Sequence, residues 1–368
     1  MSETANQITA LTPHERRLRW ALLVTALFAA FVVLLLAAVV FFIFVYILPE
    51  KADPFSRGPY VSEIGTTTAT LKWKVKDGVS VEIVATTPDG QTITSADGRL
   101  TGLMPGARQG WVAVVDGQAR ASGTITTAPT VPEASVRFTA FGDYGAGSDD
   151  ERAVARVAAA QDTAFTVVPG DNVYPFAMPA LFDRNLFAPM RPLLAQGPFI
   201  STVGEHDLTY FGGDAIADAL GLPNGGDRYI FDYGPLRFIV LGLDADEADV
   251  PFVRDALTDS GARHVYLVVH RPPAPGNPVL AIAGDKVTAV IAGHNHRYER
   301  RVIDGVLTFT VGTGGAPRSG DESLTPASDD ALVSLAIFGL LRIDDRPDGV
   351  TMTFLDSSGR VRDSVTVP

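Results

Sequence analysis

The sequence predicts a mixed chain, α+β with α/β units: an N-terminal transmembrane helix, a small β-sandwich, and a larger domain assembled from βαβ units. Residues 21–48 contain no charged side chain and are rich in Leu, Val, Phe and Ala, the composition of a bilayer span. Between 59 and 128, short runs alternate apolar and polar side chains with a period of two, the mark of half-buried strands. From 129 onward, apolar runs each end in a short polar motif, and a helix signature separates the first two.

The chain has 368 residues, 46% of them apolar, which is room for two or more domains with real cores. Its 42 acidic and 30 basic residues leave a net charge of −12, which argues against a general nucleic-acid binder. Cysteine is absent. Disulfide frameworks and thiolate metal sites are therefore excluded, and oxygen and imidazole remain as the only strong metal ligands.

Taken in order, residues 1–20 form a tail whose Arg16, Arg17 and Arg19 stand just before the apolar run. As a helix, 21–48 is roughly 42 Å long, enough to span a bilayer with tilt. It has no polar face, is about twice the length of a signal-peptide apolar region, and is followed by no small-residue cleavage site. The expectation is a signal anchor in a single-pass membrane protein, with the lipid bilayer as a partner through 21–48. The arginines put the N-terminus in the cytoplasm and the body on the extracytoplasmic side (periplasmic or extracellular), with Trp20 and Tyr46 near the two interfaces. Residues 49–58 lack periodicity and read as a linker.

In TATLKWKV, Leu71, Trp73 and Val75 alternate with Thr70, Lys72 and Lys74. SVEIVATT, WVAVV and SGTITT follow at intervals marked by PDG, ADG and VDG turns, as a small sandwich requires. Residues 59–128 resemble a fibronectin type III module, including the stretch LTGLMPGARQGW, where that fold places a leucine-rich bend and a corner tyrosine. Gln109 occupies the tyrosine position here. The module reads as a spacer or packing partner.

The domain 129–368 opens with the linker APTVPEAS. Ser148 and Glu151 make a capping box ahead of RAVARVAAA, so a helix starts behind GDYG. The next strand, FTVV, delivers PGDNVY. A right-handed crossover makes RFTAF and FTVV parallel and puts Asp143 and Asp171 at one carboxyl edge of one sheet, where ligands bind in open α/β sheets. VGEHD after FIST, His270 after HVYLVV, and GHNHRYER after 288–292 reach that edge in the same way. The last brings His294 and His296 into one tight loop, a spacing that suggests metal.

The ordered series GDYG, GDNVY, GEHD, VVH and GHNH resembles the purple acid phosphatase branch of the calcineurin-like metallophosphoesterases. FDYGPLRFIVL, HRPP, the YER after GHNH, and VGTGGAP around Gly312 extend the resemblance to roughly residues 59–368. It implies a β-sandwich flanked by helices, a two-metal site, and hydrolysis of phosphate monoesters, so that the partner is a phosphate ester substrate. Asp143, Asp171, Tyr174 and His296 would hold the first metal, and Asp171, Glu205, His270 and His294 the second, with Asp171 bridging. His206 would bind the substrate phosphate or protonate the leaving oxygen, with Asp207 orienting it. The chemistry is that of a bimetallic clamp, in which two cations lower the pKa of a bound water and stabilise charge on the phosphoryl oxygens.

Some positions set this chain apart. Gly145 stands where most metallophosphoesterases have a metal-binding histidine, and Tyr174 is the natural replacement. A phenolate is a hard anionic donor, which favours iron(III) in the first position, with Fe, Zn or Mn in the second. Glu205 stands where the family motif has asparagine. The added negative charge should tighten cation binding and weaken attraction for a phosphate dianion. The segment from His270 to His294 has no histidine after HRPPAPGNP, where several purple phosphatases place substrate-binding histidines, and Arg271 is the residue at hand to compensate in part. His14 and His264 are not assigned to the site, and Asp244 is either a supporting group or a strand-terminal turn residue. Two other readings fit the same residues: a phosphodiesterase using the same site, and an envelope binding protein in which Glu205 has weakened catalysis.

Overall fold

The computed structural model describes residues 12–42, 54–209, 213–258, 260–316 and 327–368. The chain divides into two compact units, Met1–Pro49 and Glu50–Pro368. The described part of the first is one helix, α1 (Pro13–Phe42), in which the stretch Arg16–Phe42 has a mean hydropathy of 3.0 in its most apolar window and no buried residue there. Length and composition suffice to cross a bilayer. The helix begins upstream of the expected start at Ala21, because proline suits a first helical turn and arginine is a good helix former. Arg16, Arg17 and Arg19 are therefore helical rather than part of a separate tail. Residues 1–11 of that tail, residues 43–48 of the expected span with Tyr46, and linker positions 49–53 lie outside the described residues.

The second unit opens with β1 (Phe55–Ile64), β2 (Thr68–Val75), β3 (Val81–Thr86), β4 (Thr92–Ser95), β5 (Arg99–Thr101), β6 (Arg108–Val115) and β7 (Gln118–Thr126). They form a three-stranded sheet, β1-β2-β5, and a four-stranded sheet, β4-β3-β6-β7. Leu71 from the first and Ile83, Trp111 and Ile125 from the second share one core. β1 starts inside the expected linker because its residues find partners: Arg57 Nε lies 2.7 Å from Asp183 Oδ1, and Tyr60 and Val61 are buried.

Gln109 is buried at the corner of this sandwich. Its Oε1 accepts the Met104 N–H at 2.9 Å, while its Nε2 donates to Met104 O at 3.2 Å and Ala107 O at 3.4 Å. The carboxamide thus closes the bend that a corner tyrosine would close with one hydroxyl. The sandwich is joined to the rest of its unit by Trp111 Nε1, which donates to Ala195 O at 3.1 Å, and by Tyr233 OH, which donates to Thr126 O at 2.7 Å. The approach is close enough that a Cβ on Gly123 would lie 2.1 Å from Ala195 O.

The remainder is two sheets packed face to face. The first contains β8 (Val136–Ala140), β9 (Thr166–Val168), β10 (Phe199–Ser201), β18 (Gly339–Arg346), β19 (Gly349–Asp356) and β20 (Val361–Val367), in the order β10-β9-β8-β18-β19-β20. The second contains β11 (Tyr229–Tyr233), β12 (Leu236–Val240), β13 (His264–Val269), β14 (Ala289–Ala292), β15 (Tyr298–Ile303), β16 (Val306–Val311) and β17 (Val333–Leu335), in the order β11-β12-β13-β14-β16-β15-β17. β8, β9 and β10 run parallel, as do β12, β13, β14 and β16. The helix α2 (Asp149–Ala159) makes the crossover from β8 to β9, and Ser148 Oγ caps it by accepting the Glu151 N–H at 3.0 Å.

The motif-bearing strands therefore do not share one sheet, as the sequence had suggested. GDYG, GDNVY and GEHD come from the first sheet, and His270 and GHNH from the second. The reason lies in the two-sided burial that parallel strands need. In β13, Tyr266 and Val268 face the core between the sheets with Phe138, Phe238 and Phe309, while Val265, Leu267 and Val269 pack on the other side in a separate cluster that takes in the helical segments 250–258 and 278–283. Both sheets point the carboxyl ends of their parallel strands at the same rim.

The corner role of Gln109 has a direct check. Gln109→Leu should lower the unfolding free energy by about 1–3 kcal/mol, read as a reduced denaturant midpoint of the full chain. An unchanged midpoint would show that the three bonds contribute nothing net.

Candidate metal centre

Five strand ends deliver the side chains. β8 runs into Asp143 (φ 57°), β9 into Asp171 (φ 53°), and β14 into His294 (φ 69°), all three in the left-handed region. Such a conformation costs a non-glycine residue on the order of 1–3 kcal/mol and persists only where surroundings enforce it. Here they do: Asp143 N donates to Gly170 O at 3.2 Å, Tyr144 N to Asp171 O at 3.3 Å, and His294 N to Asp143 Oδ2 at 3.0 Å. Two motif glycines are required by close approach. A Cβ on Gly204 would lie 2.1 Å from Asp171 Oδ1, and one on Gly293 would lie 2.6 Å from Asp143 Oδ2.

The side chains gather into two donor sets. Around the Tyr174 hydroxyl, Asp171 Oδ2 is at 2.8 Å, His296 Nε2 at 3.0 Å and Asp143 Oδ1 at 3.3 Å. Around Glu205, Oε2 lies 2.7 Å from His270 Nε2 and Oε1 lies 2.6 Å from His294 Nδ1. His270 Nε2 is also 3.5 Å from Asp171 Oδ2, so Asp171 stands between the sets. Ligating atoms of Glu205, His270 and His294 lie within 4.8 Å of one another, as do those of Asp143, Asp171 and His270. The structure thus brings together Asp143, Asp171, Tyr174, Glu205, His270, His294 and His296, drawn from both sheets.

The donor set fits metal on a further ground. Glu205 Oε2, His270 Nε2 and His294 Nδ1 are buried and make no hydrogen bond of ordinary geometry, even though the nitrogens and oxygens approach within 2.7 Å. A carboxylate this close to two imidazole nitrogens without an aligned N–H is an arrangement that a shared cation would complete. His270 is oriented on its other side by Pro169 O, 2.7 Å from its Nδ1, as metal-bound imidazoles usually are.

Electrostatics in the metal-free chain reflect the crowding. Burial alone would lower His270, but Glu205, Asp171 and Asp143 outweigh it and hold the imidazolium to about 10. Burial raises Asp171, with His270 opposing and Asp143, Asp207 and Glu205 adding to the rise. Burial alone would also raise Glu205, yet His270 and His294 hold it well below the usual carboxylate range. The Tyr174 phenol is pushed well above its ordinary value by burial and then by Asp143 and Asp171.

His206 and Asp207 behave differently from one another. The His206 ring lies over Tyr174, with centroids 4.2 Å apart, and its Nδ1 is 2.7 Å from Pro175 O. Asp207 does not orient it. Its fully buried carboxylate accepts the Asn172 N–H at 2.9 Å, Asn172 Nδ2–H at 2.9 Å and the Gly204 N–H at 3.0 Å, tying the loop of Asp171 to the loop of Glu205. Asn172 in turn accepts from Tyr144 OH at 3.0 Å and Ser201 Oγ at 2.9 Å. This supporting network was not read from the sequence, although Tyr144 and Asn172 both lie inside quoted motifs. His264 is remote from the site, paired with Asp345 at 2.9 Å.

Two outcomes follow from this arrangement. Metal must displace the proton that His270 keeps to about 10 and the one that burial favours on Asp171, so affinity rises with pH. Zinc titrations of the full chain should show roughly a tenfold gain per pH unit above neutrality, where one proton is displaced, and a steeper dependence below it. A pH-independent affinity would mean that metal binds elsewhere. Separately, Asp207→Asn sets an amide N–H₂ against backbone donors and should cost about 2–3 kcal/mol in the metal-free chain, measured by denaturant unfolding.

Residues 136–298 match the family model described as calcineurin-like phosphoesterase. No curated protein matches the chain by sequence. Among solved structures, PhoD is similar over 87% of this chain and 90% of its own, with 13% identity and a TM-score of 0.64. At that identity the likeness is one of fold. GAP50, the anchor in the inner membrane complex of Plasmodium, is similar over 63% of this chain and 88% of its own, with 19% identity and a TM-score of 0.47. The matched segment begins at β8 and ends at β15, so it takes in every strand end that supplies a donor. Residues 136–298 are thus similar to the calcineurin-like phosphoesterases, and the matched segment holds both groups of candidate metal ligands.

Proposed function

We propose that the chain is a membrane-anchored, extracytoplasmic phosphoesterase that hydrolyses phosphate monoesters at a site of two metal ions. The observation that carries this reading is the convergence of two donor sets on one shared carboxylate, Asp171. Asp143, Asp171, Tyr174 and His296 hold one ion, and Asp171, Glu205, His270 and His294 the other. When bound, the pair supplies the positive charge that an in-line displacement at phosphorus requires.

The chain's own residues do the rest. Burial and two carboxylates keep the Tyr174 phenol neutral, so only a strongly acidifying cation takes the place of its proton, which favours iron(III) there. Fe, Zn or Mn suits the second position. His206 donates its Nδ1–H to Pro175 O, which leaves Nε2 as the ring atom available to a substrate. In its protonated form that nitrogen donates to a phosphoryl oxygen or protonates the leaving oxygen. α1 is the anchor, with the N-terminus cytoplasmic because Arg16, Arg17 and Arg19 flank its amino end.

The full chain purified in detergent should hold about two metal ions, iron among them, by elemental mass spectrometry, and should hydrolyse 4-nitrophenyl phosphate. Asp171→Ala should remove metal from both positions and abolish turnover. His206→Gln should keep the metals and lower kcat about 10²–10⁴-fold. Two retained metals with no turnover of any phosphate ester would support a binding protein instead.

A further inference from the structure

Arg271 follows His270 directly and reaches Glu205. Its Nε lies 3.8 Å from Glu205 Oε2, and its Nη1 donates to Asp244 Oδ2 at 3.2 Å. The side chain is 39% exposed. A guanidinium carries five N–H donors in a fixed fork, and the bond to Asp244 uses one of them. Glu205 Oε2 is itself 2.7 Å from His270 Nε2, so the fork stands beside a residue of the second donor set.

We infer that Arg271 binds a terminal phosphoryl oxygen of the substrate and thereby selects monoesters over diesters, an inference that rests on the phosphoesterase reading above. A monoester phosphoryl group has three terminal oxygens and up to two negative charges, whereas a diester has two terminal oxygens and one charge. A clamp that occupies two oxygens leaves a third only on the monoester, and a planar fork suits it better than a point charge does. Arg271 also answers a problem that Glu205 creates. A carboxylate in that position repels a phosphate dianion, and a guanidinium 3.8 Å away offsets part of the repulsion, the rest of its charge being met by Asp244 at 3.2 Å. Asp244 tethers the guanidinium at its place, so little ordering remains to be done when substrate arrives.

The test uses the full metal-loaded chain and its Arg271→Gln and Arg271→Lys variants. Inorganic phosphate binding is measured by calorimetry, and kcat and KM are measured for 4-nitrophenyl phosphate and bis(4-nitrophenyl) phosphate. Arg271→Gln should weaken phosphate binding about tenfold to a hundredfold and raise KM for the monoester by a similar factor, with a smaller change in kcat. The diester parameters should stay within about threefold, metal content should not change, and lysine should recover part of the loss. Equal losses on both esters, or an unaltered phosphate affinity, would overturn the role of Arg271 and leave the phosphoesterase reading intact. If the unmodified chain turns over neither ester, the phosphoesterase reading itself fails. Phosphate affinity then decides the matter for Arg271 alone, and insensitivity to Arg271→Gln, or no phosphate binding by the unmodified chain, counts against it.

Discussion

Four carboxylates, Asp143, Asp171, Glu205 and Asp207, meet where two sheets end, and the three aspartates are at most 1% exposed. Burying an ionised carboxylate costs several kcal/mol unless partners compensate it, so the surrounding structure is an account of how each is answered. Asp207 takes backbone and amide N–H groups, and Asp143 takes the His294 N–H. Asp171 is met by the Tyr174 hydroxyl and the His206 N–H, the latter at 2.9 Å. Glu205 has imidazole nitrogens that are close but not aligned, and the Arg271 guanidinium at 3.8 Å. In the metal-free chain the deficit is covered by protons, held on His270 and favoured on Asp171. Two cations cover it more completely, because each can be shared among several lone pairs at once.

That requirement explains features of the fold that would otherwise be costly. Left-handed backbone at Asp143, Asp171 and His294 turns each side chain inward immediately after its strand. Gly204 and Gly293 let neighbouring loops approach the carboxylates at distances that no Cβ permits. Asp207 and Asn172 then lock the loops from beneath through a network that includes Tyr144 and Ser201. The sandwich contributes at a distance: its Trp111 fastens it to the segment at Ala195, and its Thr126 is held by Tyr233 of β11. It braces the segment at Ala195 and the strand β11, and supplies no donor to either set.

The order of the elements, the crossover from β8 to β9, and the residues at the rim were legible because each rests on a local pattern: an apolar run, a cap, a short polar motif. The partition of the strands between two sheets was not. FTVV and HVYLVV are both buried on two sides, and nothing local distinguishes membership of one sheet from membership of another. The same limit applies to Asp207. Its proximity to His206 along the chain suggested a partnership, but in the short turn Glu205–Leu208 adjacent side chains diverge, and Asp207 points inward to Asn172. Gln109 was legible as a position and illegible as a solution, since only the structure shows that a carboxamide makes the corner bonds.

Glu205 shows most clearly what a sequence motif leaves out. Read in isolation, a carboxylate in place of a neutral amide adds one negative charge to the site and reduces its appeal to phosphate. In the folded chain the carboxylate reaches both His270 and His294, and Arg271 Nε lies 3.8 Å from the same oxygen that meets His270. Asp244 lies 3.2 Å from the same guanidinium, so Glu205, Arg271 and Asp244 together carry one net negative charge, with a positive group held close to both carboxylates. Glu205 brings negative charge to the two imidazoles, and the partly exposed Arg271 brings positive charge beside it. A neutral amide brings neither charge. The pair therefore separates two demands that a single residue must otherwise balance, tight retention of a cation and attraction of a phosphate.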